Sequence, residues 1–190
     1  MKKLIYTLLF LIVSCYPSEN SKFTRMFIEK NSGILKILKN NKTQIKLTVI
    51  DKNKEFDEYE YNVDSNKYFY PASTVKLPIA LFAIEKLNEN KYLSIDTPFM
   101  LEDDTLKTTM RRELEKIFVL SDNQANNRLF EFLGQDYINQ KFISKGLNES
   151  RIFHRLSTKN SSNLNGKRVD FFLDDSIISF QNKNTAPAKL

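Results

Sequence analysis

The chain has 190 residues, 41% hydrophobic and 27% charged, a balance that excludes a disordered polymer and allows one domain of ordinary size with a real core. Its formal charge of +6 is spread over dispersed lysines with no Lys/Arg block of the kind that tracks phosphate, so a nucleic-acid partner is not expected. A single Cys and a single His exclude an intramolecular disulfide and a clustered metal centre, and neither metal nor cofactor is expected.

The first residues read as a targeting segment. Met1-Lys2-Lys3 is positively charged, and Leu4–Val13 is an apolar run the size of a signal-peptide core, too short for a comfortable mature membrane span. It ends in Ile12-Val13-Ser14-Cys15, which resembles a bacterial lipobox with Cys15 as the acylated residue. The expected organisation is a signal peptide over 1–14, a lipid-anchored tether over 15–22 and one domain over 23–190, held outside the cytoplasmic membrane.

Phe23–Lys39 has the apolar spacing of an amphipathic helix interrupted near Ser32-Gly33. Gln44–Ile50 and Glu58–Val63 alternate polar and apolar around a turn at Asp51–Lys54, predicting a half-buried hairpin. Leu77–Asn90 is nearly all apolar over its first eight residues, which predicts a helix buried all round. Pro78 lacks a donor and disfavours helical backbone at Leu77, so a cap or kink is expected where Ser73–Lys76 meets this helix. Arg111–Leu120, Gln124–Leu133 and Asp136–Gly146 read as further helices. After Ser150 the chain is Ser/Asn-rich, with a strand candidate at Ser176–Phe180.

Two short motifs carry chemistry. Ser73 and Lys76 stand three apart, so that on a helical turn the amine can approach the hydroxyl. A desolvated lysine titrates lower and can take the proton that makes serine a poor nucleophile. Composition alone yields about 1.7 such spacings, so the spacing by itself decides nothing. Ser121-Asp122-Asn123 is rarer, expected about 0.09 times by chance, although Ser, Asp and Asn also make good helix N-caps.

The ordered pair of motifs, Ser73-Thr74-Val75-Lys76 followed by Ser121-Asp122-Asn123, resembles the class A β-lactamase and penicillin-binding serine hydrolase family. The stretch Lys67–Pro78 is especially similar to extracytoplasmic serine hydrolases of this group, and the resemblance runs from about Phe23 to about Asn165. It implies an α/β fold in which a helical lobe packs on an antiparallel sheet. It further implies Ser73 as nucleophile, Lys76 as its proton acceptor, Ser121 as a relay toward the leaving nitrogen, and Asn123 as a ligand of the substrate amide that helps orient Lys76. The Ser73 backbone amide would give one oxyanion donor. The partners implied are a small-molecule substrate, a β-lactam or a cell-wall peptide, and the membrane through the lipid anchor.

Two departures from the family pattern shape the expectation. No Lys-Thr-Gly or Lys-Ser-Gly occurs, so a domain without its C-terminal strands is expected. Ser161, in Ser161-Ser162-Asn163-Leu164-Asn165, falls where the family's E-x-x-L-N carboxylate would activate the hydrolytic water, and Glu149 lies on the wrong side of Arg151 to replace it. Deacylation is therefore expected to suffer more than acylation. His154, between Phe153 and Arg155, invites a Ser–His reading but reads as structural beside the lysine motif. Tyr68-Phe69-Tyr70 reads as core packing, with a wall beside the nucleophile as the alternative. The alternatives are a DD-peptidase and a catalytically inactive envelope lipoprotein that only binds.

Overall fold

A computed structural model describes residues 30, 32–64, 66–159 and 161–185. The leader, Cys15, the tether and the first part of the expected helix at Phe23–Lys39 lie outside the described residues. The rest forms two compact units, one ending at Phe69 and the other starting at Tyr70.

In the first unit, helix α1 (Ser32–Asn40) precedes an antiparallel hairpin of β1 (Ile45–Ile50) and β2 (Phe56–Tyr61), in register from Ile45 opposite Tyr61 to Ile50 opposite Phe56. Asp51 shapes the turn, its Oδ1 accepting from the backbone amides of Asn53 at 2.8 Å and Glu55 at 2.9 Å. The hairpin is the expected one with its second strand two residues earlier. Leu47 and Val49 are exposed where half-burial was expected.

The second unit is the helices-on-antiparallel-sheet α/β architecture that the sequence implies. A 3-10 turn (Ala72–Val75) runs into α2 (Lys76–Asn88). Then come β3 (Pro98–Leu101), β4 (Thr108–Thr109), α3 (Met110–Leu120), α4 (Asn123–Leu133), α5 (Gln135–Ser144), β5 (Val169–Phe172) and β6 (Ile177–Phe180). The strands form one antiparallel sheet in the order β4-β3-β5-β6. Pro78 is harmless because it stands third in α2, within the first turn, where backbone amides have no intrahelical partner. The helix is not buried all round: Ile79, Ala80, Phe82 and Ala83 enter the core, while Leu77 and Leu81 are 53% and 51% exposed.

The core sits where α2 and α4 meet the sheet. Phe99 of β3 and Phe171 of β5 stack at 5.1 Å, and Phe132 of α4 meets Phe171 edge-on at 5.2 Å. Each buried ring stabilises by about 1.5–3 kcal/mol through area alone, with about 0.5–1.5 kcal/mol more per well-placed pair. The Ser/Asn-rich tail is structural rather than a loose loop. Buried Asn184 accepts from the Gln135 amide at 2.8 Å, capping α5 from outside its own sequence. Asn182 packs so close to Gly134 (φ +80°) that a Cβ there would lie 2.6 Å from its side chain.

Candidate active site

The Ser73–Lys76 spacing acts through a 3-10 turn, in which residues three apart eclipse one another. Ala72 enters the turn at φ 48°, and Thr74 locks it by donating from both its amide (3.1 Å) and its hydroxyl (2.6 Å) to the Pro71 carbonyl. Because α2 begins at Lys76, the lysine is fixed on a rigid helix while the serine rides on the turn just ahead.

Lys76 is 4% exposed, and its Nζ is surrounded by oxygen. It donates to Ser73 Oγ at 3.2 Å, to Ser121 Oγ at 2.9 Å and to the Ser121 carbonyl. Ser121 Oγ in turn donates to Ser73 Oγ at 3.3 Å, closing a triangle of three proton carriers. Among the described residues no carboxylate pairs with this lysine. The triangle depends on the backbone of Ser121, which ends α3 in the left-handed region at φ 53° and so aims both carbonyl and hydroxyl at Lys76.

The S-D-N motif divides between two tasks. Asp122 is the N-cap of α4, its Oδ1 accepting from the Ala125 amide at 2.7 Å, so the capping reading of the motif holds for this residue. Ser121 and Asn123, on either side, face the serine. Asn123 does not orient Lys76, as the resemblance implied; its Nδ2 donates to Ser157 Oγ at 2.9 Å, and the lysine is held by the two serines instead.

The facing wall comes from the segment around His154–Ser157, which α4 holds by two side chains. Asn127 clasps the backbone of Leu156, donating to its carbonyl and accepting from its amide, both at 2.8 Å. Arg155 turns inward to Glu131, and its guanidinium also donates to the Asn163 carbonyl at 2.8 Å. Neither anchor was found in the sequence, although Asn127 and Glu131 stand four apart on α4 and both are buried.

Together these elements line a half-open cavity of ≈ 220 Å³ bordered by Ser73, Asn123, Tyr70, His154 and Ser157, with Ala72 and Leu156. Among the described residues from Tyr70 onward, three non-glycine residues have positive φ, namely Ala72, Ser121 and Ser157, and all three border this site. Strained backbone of this kind costs about 1–3 kcal/mol and gathers at functional sites. The structure thus brings together Ser73, Lys76, Ser121 and Asn123; Cys15 lies outside the described residues. Tyr68, Phe69 and Tyr70 are exposed, not core, and Tyr70 walls the cavity. Ser161 is not part of the wall; its carbonyl accepts from the Arg155 amide at 2.9 Å, and Ser157 takes the position beside Asn123. Among the described residues no group of three His, Cys, Asp or Glu could hold a metal ion.

A family model described as "Beta-lactamase enzyme family" matches residues 30–186. No curated protein matches the chain, and no solved structure does.

Proposed function

Because the chain belongs to the beta-lactamase enzyme family, whose members are serine hydrolases, we propose that it transfers the acyl group of a β-lactam, or of a peptidyl-D-alanine-like amide, to Ser73. Lys76 Nζ takes the Ser73 proton while Oγ adds to the amide carbonyl carbon. The C–N bond then breaks, and the proton passes through Ser121 Oγ to the leaving nitrogen, which leaves an ester on Ser73. The Ser73 amide, in the first turn of its 3-10 segment with no partner inside the turn, is a donor for the oxyanion.

One observation carries this reading: the closed triangle of Ser73 Oγ, Lys76 Nζ and Ser121 Oγ, with sides of 3.2, 2.9 and 3.3 Å around a buried lysine. That Asn123 lines the same cavity as Ser73 supports a role for it in holding the substrate amide. A fluorescent penicillin tests it. Labelling is expected in the intact chain, abolished in Ser73→Ala and slowed by about 10²–10⁴ in Lys76→Ala, the usual worth of a positioned general base. Labelling that survives Ser73→Ala excludes this nucleophile. The same proposal puts the domain outside the cytoplasmic membrane, held by an acylated Cys15, since Leu4–Val13 and Cys15 together have the form of a lipoprotein leader.

A further inference from the structure

Acylation leaves an ester that only water can clear, and the water needs a base. Among the described residues no carboxylate lines the cavity. One side chain with a nitrogen that can accept a proton does line it, the imidazole of His154. We propose that His154 is the base that deacylates Ser73, an inference that rests on the acyl transfer proposed above.

The hydrogen bonds fix which nitrogen acts. His154 Nδ1 lies 2.9 Å from the Arg155 carbonyl. A carbonyl oxygen can only accept, so Nδ1 carries the proton, and in the neutral ring Nε2 keeps a lone pair. Among the described residues Nε2 has no hydrogen-bond partner. The orienting carbonyl is itself held, because the Arg155 amide donates to Ser161 and its guanidinium is anchored on Glu131. Tyr70 stacks on the imidazole face, 6.3 Å between centroids and 16° from parallel. His154 thus lines the nucleophile's cavity with one ring nitrogen pinned by a backbone carbonyl and the other without a protein partner among the described residues, features shared with an activating imidazole. The ≈ 220 Å³ available is several times the ~30 Å³ share of one liquid water. The other titratable groups around it are Tyr70, Lys76 behind Ser73, and Arg155, whose charge is paired with Glu131.

In the step itself Nε2 takes a proton from water as the water oxygen adds to the ester carbonyl carbon, and the carbonyl electrons move to the oxyanion. When these return, the bond from carbon to Ser73 Oγ breaks and the imidazolium proton passes to Oγ. Ser73 and a neutral His154 are restored, and the product leaves as a carboxylic acid that ionises in solvent.

The test uses the full chain and benzylpenicillin. The adduct on Ser73 is allowed to form, excess drug is removed, and its decay is followed by intact-protein mass spectrometry. His154→Asn keeps a donor for the Arg155 carbonyl but removes the base. Once formed, its adduct is expected to decay at least ~100-fold more slowly than that of the unsubstituted protein. In His154→Ala, added imidazole should restore decay, a rescue that a merely structural histidine would not allow. Unchanged decay in His154→Asn, or slowed decay in both variants without imidazole rescue, overturns the role of His154. Failure of the unsubstituted protein to form any Ser73 adduct instead overturns the acyl transfer on which that role rests, so the two failures are distinguishable.

Discussion

Arg155 and Glu131 form a buried ion pair, with side chains 8% and 3% exposed, in which Nη2 donates to Oε2 at 3.1 Å and Nε donates to Oε1. The pair joins α4 to the segment that carries His154 and Ser157, and Glu131 Oε2 also accepts from the Lys167 amide at 2.8 Å. Removing the cation leaves a buried carboxylate uncompensated. Arg155→Ala should therefore cost about 3–5 kcal/mol in urea unfolding and slow penicillin labelling by loosening the cavity wall. The double variant Arg155→Met, Glu131→Leu should recover much of the stability, since no unpaired charge remains. A loss below about 1 kcal/mol in the single variant would mean that the pair does not anchor the segment.

Ser121 holds its left-handed backbone for the sake of its hydroxyl and carbonyl. Ser121→Ala and Ser121→Gly both delete the hydroxyl, but only glycine adopts φ 53° without a Cβ penalty. The glycine variant should be more stable than the alanine variant by about 1–2 kcal/mol, read from urea midpoints. Both should show similarly slowed penicillin labelling. Equal stabilities would contradict the strain; unimpaired labelling in either would remove Ser121 from the proton path.

Lys86 gives a pH dependence whose sign can be worked out. Its amine lies over the rings of Phe132, Tyr137 and Phe180 and donates to the Phe132 and Leu133 carbonyls at 2.7 and 2.9 Å. Desolvation pushes it from its ordinary 10.5 down to about 8, against a smaller upward pull from Glu89. Between pH 8 and 10.5 the unfolded chain holds a proton here that the folded protein has released, so stability rises with pH across that window. Lys86→Met should remove this component, measured as the difference in urea midpoint between pH 7.5 and pH 10. The same difference in both proteins would contradict it.

Much of this was legible in the sequence, for reasons visible in particular residues. The helices around the site carry strong apolar spacing and were expected within a residue or two, and the hairpin announces itself through alternation around Asp51. The strands β3, β4 and β5 were missed because two to four residues are too short to establish a period, and β3 begins at Pro98. The S-x-x-K and S-D-N motifs led to Ser73, Lys76, Ser121 and Asn123, since they are local patterns. The wall was not legible: Asn127 meets Leu156 across 29 positions and Glu131 meets Arg155 across 24. Tertiary hydrogen bonds of that range leave no periodic trace, and they are why Ser157 and not Ser161 stands beside Asn123.

The lipid anchor proposed at Cys15 has its own test. Cys15→Ala should stay unprocessed or appear in the soluble fraction, because a single apolar leader of this size does not hold a mature domain firmly. Unchanged processing and membrane fractionation would count against acylation.

The most direct measurement of the central claim is a peptide map of the full chain after brief exposure to benzylpenicillin. The expected result is one added penicillin mass on the peptide containing Ser73, and none in Ser73→Ala treated identically. A penicillin adduct on any other residue, or no adduct while the drug is hydrolysed at equal rates with and without Ser73, would contradict a Ser73 acyl-enzyme.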